Sequence, residues 1–393
     1  MRIVIALFLL CISHYISAQD TLLWQFKAES GIYSSPVVED YIYFGDNASN
    51  LYALSKQTGK PIWTARVKGA IKSKPCVYNE LIIINDASGS IQAFDRLSGS
   101  EIWTFTMDDE KTVDMWDYYL SSPVVHKGIV YIGSGDQHVY ALNAENGELV
   151  WKYRTVGVVH ASAVIYDEKV LIGSFDGYFY ALDGDTGQLV WKFKTVGDKY
   201  FPNGAIQKAA CVYKDKVIFG SRDFNVYALD VTSGRGHWNY KERGSWVIAT
   251  PLLIDDNLYF GTSDTHRFYC FNADDGAVQW QKELNMRVYG TAADCNGIVY
   301  FGCFNGKLYG MSAQSGDVVF EFQTAESHQR YAQLFKSETE FADGVELYGA
   351  DSKEVEQQIL GLGAFLSSPV IENDILYIGD ANGNFYAISV KQD

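Results

Sequence analysis

Tryptophan recurs along this chain at positions 24, 63, 103, 151, 191, 238 and 280, at intervals of 39 to 48 residues, with Phe320 in the eighth place. A second marker keeps the same period. It is a small residue within Tyr-Ala-Leu-like segments, at Ala53, Ala93, Ala141, Ala181, Ala228, Cys270, Gly310 and Ala387. The last of these intervals is 77 residues, one period of about 40 plus an insert of about 37. Such a period marks units that cannot bury an apolar face alone and must pack on their neighbours. Eight of them leave few folds open.

One unit shows the local physics. Ala163 to Tyr166 is a short apolar run turned by Asp167-Glu168-Lys169, and Val170 to Ser174 is a second run ended by Phe175-Asp176-Gly177. Tyr178 to Asp183 follows, then the turn Gly184-Asp185-Thr186-Gly187, then Gln188 to Thr195. β-Rich runs cut by Asp-Gly or Thr-Gly are what an antiparallel meander needs. Composition agrees, with 27 Tyr, 22 Phe and 35 Gly against 5 Met. Helical spacing is absent from the eight copies. The expectation is an all-β, eight-bladed β-propeller of four-stranded antiparallel blades, one domain over residues 20–393.

Punctuation within the repeat supports this. Gly59, Gly99, Gly147, Gly187, Gly234, Gly276 and Gly316 stand four residues before the aromatic, which suits a turn position with φ > 0. The aromatics Trp24, Trp63, Trp103, Trp151, Trp191, Trp238, Trp280 and Phe320 are expected to wedge between blades. Pro36, Pro75, Pro123, Pro251 and Pro369 share one position at the start of the innermost strand, where a missing N–H is tolerated. The last unit stops at Ile388-Ser389-Val390 without a fourth strand, and Leu23 to Lys27 is a fourth strand without a blade. Joined, they would close the ring.

Residues 1–19 read as an export signal. Arg2 precedes the apolar run Ile3 to Ile12, which is too short to span a bilayer, and Ala18 offers a cleavage position. Leu10 stands before Cys11 where a lipoprotein signal wants a small residue, so the expected product is periplasmic or secreted without lipid. Cleavage would take the net charge from −16 to −17. That balance, with no basic cluster, argues against nucleic acid and anionic lipid as partners. Cys76, Cys211, Cys270, Cys295 and Cys303 form no Cys-x-x-Cys, and the odd count does not suit a disulfide framework.

The segment Ala181-x-Asp183-x-x-Thr186-Gly187-x-x-x-Trp191 resembles the tryptophan-docking motif of the pyrroloquinoline-quinone (PQQ) repeat family. That family includes quinoprotein alcohol dehydrogenases and BamB-like envelope scaffolds, and the resemblance covers about 90% of the mature chain. In the dehydrogenases an adjacent cysteine pair closes a ring over the quinone, beside Ca²⁺ held by Glu, Asn and Asp. No Cys-Cys occurs here, and no residue carries over to those roles. The expectation is no cofactor.

Other chemistry fares no better. Asp136, Asp176, Asp223, Asp264, Asn305 and Asn382 share one hairpin position, where turn formation explains them without a metal. The histidines show no zinc spacing, and Gly-x-Ser-x-Gly is missing. The acidic run Asp108-Asp109-Glu110, with Asp114 and Asp117, reads as solvated. No catalytic or metal-binding residue is assigned.

Three links between blades break the repeat, at 108–120, 196–206 and 325–366, all expected on one face. They carry Trp116, Asp117, Tyr118, Tyr119, Tyr200 and Phe201. Shorter links add Tyr33, His160, Trp246 and Tyr289, and Phe365 ends the insert. These residues form the candidate binding face. Their rings either plug the channel mouth or form an open patch for a ligand or partner chain. Within the insert, Asp351, Glu354, Val355, Ile359 and Gly361 mark a helix. The function expected is an exported, monomeric, non-catalytic scaffold that binds an envelope protein partner. The alternative is a glycan or small-molecule binder, and the third reading a quinoprotein dehydrogenase or a carboxylate-based lyase or hydrolase.

Overall fold

The computed structural model describes residues 21–391. The expected export signal, with Arg2, Cys11 and Ala18, lies outside the described residues. Eight four-stranded antiparallel sheets form the ring of an eight-bladed propeller. Seven sheets use four consecutive strands. The eighth is Val370–Glu372, Ile375–Gly379, Asn384–Ser389 and, from the other end of the chain, Leu22–Lys27. That closing strand pairs Trp24 with Ala387, Gln25 with Tyr386, Phe26 with Phe385 and Lys27 with Asn384. No helix among the described residues is long and apolar enough to cross a membrane.

Burial explains the strand sequences. The middle strands, such as Ile129–Gly133 and His138–Asn143, are buried almost throughout because neighbouring blades cover both sides. The outer strand Leu149–Arg154 is mostly exposed and buries Trp151 alone. Its indole N–H donates to Gly184 O, 2.8 Å away in the turn between the third and fourth strands of the next blade. Trp24, Trp63, Trp103, Trp191, Trp238 and Trp280 make the same inter-blade bond at 3.0–3.2 Å. The turn glycine lies beneath the ring. Gly187 has φ +70°, and a Cβ there would stand 2.6 Å from Trp151 Cδ2. So glycine is required both by its backbone and by its neighbour. Phe320 faces the blade whose third and fourth strands come from opposite chain ends, and it packs beside Val390.

Around the axis, hydroxyls stitch the inner strands together. Ser122 Oγ accepts from Lys74 N at 2.9 Å, Ser162 Oγ from Ser122 N at 2.9 Å, and Ser35 Oγ from Ser368 N at 2.8 Å. They surround an axial channel of about 660 Å³ to which all eight blades contribute residues in or just before the inner strand. Lys208 lines it with Nζ 3.5 Å from the centre of the Tyr119 ring, and burial pulls its pKa down to about 7.

The repeated hairpin acids act as turn caps. Asp136 accepts from His138 N at 3.0 Å and from the Tyr140 hydroxyl at 2.5 Å. Asp176 and Asp223 do the same for Tyr180 and Tyr227. In the last blade Asp380 performs this task, accepting from the Tyr386 hydroxyl at 2.8 Å, whereas Asn382 donates its backbone N–H to Asp380 and its Nδ2 to Gly361 O at 3.0 Å. All five described cysteines are free. The insert holds two helices, α1 (Ala325–Leu334) and α2 (Ser352–Leu360). The sequence signals point to α2 alone. α1 starts directly from an outer strand, capped by Thr324 Oγ1 on Ser327 N, and its chain is too polar to mark an apolar stripe.

Candidate functional site

The three expanded links meet over one mouth of the channel, where buried charges fasten them. Asp114 pairs with Arg222, whose Nε donates to Gln207 Oε1 at 3.0 Å. Gln207 Nε2 in turn donates to Trp116 O at 3.0 Å. The Arg222 guanidinium lies 4.3 Å from the Trp246 ring centre and orients that indole. On the other side of the mouth, Glu356 of α2 accepts from Arg287 Nη1 at 2.8 and 2.9 Å, and also from the Tyr118 hydroxyl. Arg287 is 1% exposed. Tyr119 donates its hydroxyl to Leu366 O at 2.9 Å.

His160 is the second fastening. Its Nδ1 lies 2.9 Å from Asp117 Oδ1 and its Nε2 lies 2.7 Å from Glu110 Oε1. Burial opposes charge on this ring, but hydrogen bonds to the two carboxylates outweigh it and hold the pKa up at about 9. A raised folded pKa contributes stability that is whole below the unfolded value of 6.5 and is lost as pH rises through about 9. The full span corresponds to about 3 kcal/mol. We expect the melting temperature to fall between pH 6.5 and 9.5, and His160→Gln to flatten that part of the profile. An unchanged slope in the variant would contradict the assignment.

Beside this plug a cavity of about 570 Å³ opens among Trp116, Tyr200, Phe201, Phe224, Trp246 and Tyr348, with Ser263, Asp264, Arg287 and Tyr289 also in its wall. The rings of Trp116 and Trp246 stand 5.7 Å apart at 79°, and Phe201 meets Trp246 at 4.9 Å and 82°. Tyr348, from the insert, lies 6.3 Å from Trp116 and donates its hydroxyl to Asp264 Oδ1.

The residues singled out in the sequence therefore fall into four places. Trp116, Tyr200, Phe201, Trp246 and Tyr289 share the cavity. Tyr33, Tyr118 and Tyr119 form the plug, with Tyr118 ring to ring against Tyr33 and Tyr289, while Asp117 and His160 fasten the first link. Phe365 is fully buried between blades, with its Cβ where a side chain at Gly302 would go. Arg222, Asp264, Arg287, Tyr348 and Glu356 carry roles that sequence reasoning did not give them. For Asp264 a signal exists in the repeat. Glu242 follows its outer strand where other units place Ala28, Val67, Met107, Thr155, Thr195, Leu284 or Thr324. Glu242 accepts from the Tyr269 hydroxyl at 3.3 Å, a task that falls to the hairpin acid in blades such as that of Asp176, and Asp264 is left to face the cavity.

Among the described residues, two groups bring possible metal ligands within 4.8 Å of one another, Asp108 with Asp136 and His138, and Asp215 with Asp230 and His237. Their carboxylates are already engaged. Asp136 holds Tyr140, Asp230 caps Thr232 and Ser233, and Asp215 pairs with Lys216. Both groups lie partly in solvent, so neither forms an enclosed metal centre.

A family model described as "Outer membrane protein assembly factor BamB" matches residues 12–115, 87–245 and 241–393. The outer membrane protein assembly factor BamB of Yersinia pestis is 27% identical over 124 residues, 32% of this chain and 31% of that protein. The chain thus spans about a third of the length of the curated relatives it matches. The crystal structure of BamB from Moraxella catarrhalis superposes with a TM-score of 0.69 at 16% identity, covering 94% of this chain and 99% of the other. A europium-containing methanol dehydrogenase does so at 0.71 and 12% identity, over 94% and 93%. At such identities the structural likeness is one of fold.

Proposed function

This chain belongs to the PQQ-repeat family of the outer membrane protein assembly factor BamB, and on that premise we propose that it is an exported, non-catalytic scaffold that holds a protein partner in the bacterial cell envelope. The partner would dock on the face carrying the links 108–120, 196–206 and 325–366. One observation carries the reading. Residues that build blades recur around the ring, whereas the large departures from the repeat are gathered on this face and tied to one another there. A binding surface must be read in one orientation, which eightfold repetition cannot supply. The buried charges of this face, His160 with Glu110 and Asp117, and Arg287 with Glu356, are spent on each other, which suits a rigid docking surface better than proton transfer. The absence of an adjacent cysteine pair speaks against the quinone chemistry of the dehydrogenase members.

Aromatic anchors carry most of the energy of such interfaces. We expect Trp116→Ala with Trp246→Ala to weaken retention of the envelope polypeptide captured by the wild-type protein at least about tenfold, or about 1.4 kcal/mol, together with a fall in melting temperature from the emptied Trp246 site. Trp191→Ala should destabilise by about 3–5 kcal/mol through its inter-blade cavity while leaving partner choice and affinity intact. Equal capture by a folded Trp116/Trp246 double variant would overturn the reading.

A further inference from the structure

We propose that the axial channel binds a small organic anion with an apolar body, its charged head beside Lys74 and Lys208 and its carbon part along a layer of valines. The proposal goes beyond the scaffold reading and does not rest on it. The channel's volume of about 660 Å³ is that of a small-molecule site. Two features of its wall select the ligand.

The first is unmatched positive charge. Lys72, Lys74 and Lys208 all line the channel of a chain whose net charge is −16. None of their ammonium groups makes an ion pair or a hydrogen bond among the described residues. Lys72 is matched at longer range, by Asp117 and Glu110, two carboxylates that share the single charge of His160. Lys74 and Lys208 have no carboxylate close enough to act on them. Among the described residues Glu39 is the one acid in the channel wall, and it is exposed beyond the far end of its inner strand. Lys74 is exposed although it lies inside the ring, and the Lys208 nitrogen is not sealed off, so both show their charge to the lumen. A cation would be repelled here. A neutral molecule would strip water from both charges without replacing it. An anion supplies the counter-ion.

The second feature is the order of layers along the axis. Ser35, Lys74, Ser122, Ser162 and Ser368 share one position of the repeat, and the four serine hydroxyls each accept a backbone N–H. They donate to no group among the described residues, which leaves O–H donors for an anion. Alternate residues of a strand face the same side. Two residues on from Ser35, Lys74, Ser122 and Ser368 stand Val37, Cys76, Val124 and Val370, an apolar layer of the same wall. Tyr33 and Tyr119 cap the lysine end, so the ligand enters past the valines with its charged head inward. A second charge at its outer end would meet Glu39, and a compact polyanion would leave the valine layer uncovered. Cys76 is the one cysteine of this wall among the described residues, so the site lacks the adjacent pair of the quinone-binding members.

The test is calorimetric titration of the full-length protein with octanoate, decanoate and phenylacetate. Octanol, octyltrimethylammonium and citrate serve as neutral, cationic and polyanionic controls. At least one of the three carboxylates should saturate a single site per chain, and the controls should not. Lys208→Met should weaken that binding at least about tenfold, with Lys74→Met as a second variant that removes the other unmatched charge. No saturation by any of the carboxylates, saturation by a control, or undiminished binding in both variants would overturn it.

Discussion

A chain lacking residues 21–30 is expected to aggregate, or to melt far below the full-length protein. The deletion removes the strand Leu22–Lys27 from the last blade and leaves Asn384–Ser389 as an open edge. Three kinds of contact go with it. The ladder from Trp24 to Lys27 is lost, as is the side-chain bond from Gln25 to Asn384 at 3.0 Å. The Trp24 indole no longer reaches Lys56 O in the first blade, at 3.0 Å. Trp24 is half-buried, and the loss of its packing and hydrogen bond between blades adds to the cost. The broken ring also exposes unpaired strand edges, which template association between chains. Removal of residues 384–391 should have the same outcome, because it takes the other half of the same pairing. The checks are thermal unfolding and light scattering. A truncated protein that melts normally would show that the ring is held elsewhere.

The second large effect is expected at Glu356. Its carboxylate takes both bonds from Arg287 Nη1 and one from the Tyr118 hydroxyl, all in the buried mouth of the channel. Glu356→Ala leaves the Arg287 charge buried without its counter-ion, and breaking such a pair costs about 3–5 kcal/mol. It also frees α2 and Tyr118, so the plug should loosen together with the insert. Replacing both partners, as in Arg287→Met with Glu356→Leu, should recover much of that loss, since an apolar pair carries no desolvation cost. Urea unfolding of the two single variants and the double variant closes the cycle. Additive losses in the double variant would mean that the two side chains act independently.

The ring was legible in the sequence because its causes are local and repeated. Seven blades carry a glycine in one turn, and seven of the eight outer strands carry an indole, so Gly187 and Trp191 announce the unit, and Leu23 to Lys27 announces its missing piece. What one unit cannot reveal is that Gly187 serves the tryptophan of the preceding blade, Trp151. The loop face was legible only as a place. Whether its aromatics plug or open depends on pairs far apart in the chain. Glu356 meets Arg287 across 69 residues and Tyr118 across 238. The outcome is both, with Tyr118 and Tyr119 packed into the mouth and Trp116 and Trp246 beside a cavity. Tyr348 gave no sign of its part, since its role exists only once the insert folds back onto Asp264.

That one face of the propeller does the binding is tested most directly by cross-linking the full-length protein in intact envelopes and mapping the linked residues by mass spectrometry. The account predicts that cross-links to one recurrent polypeptide fall on the links 108–120, 196–206 and 325–366 and on the rim near Tyr200. They should disappear from the Trp116/Trp246 double variant. Cross-links gathered instead on the opposite face, at turns such as Gly184 to Gly187 or Asp274 to Gly276, would contradict it.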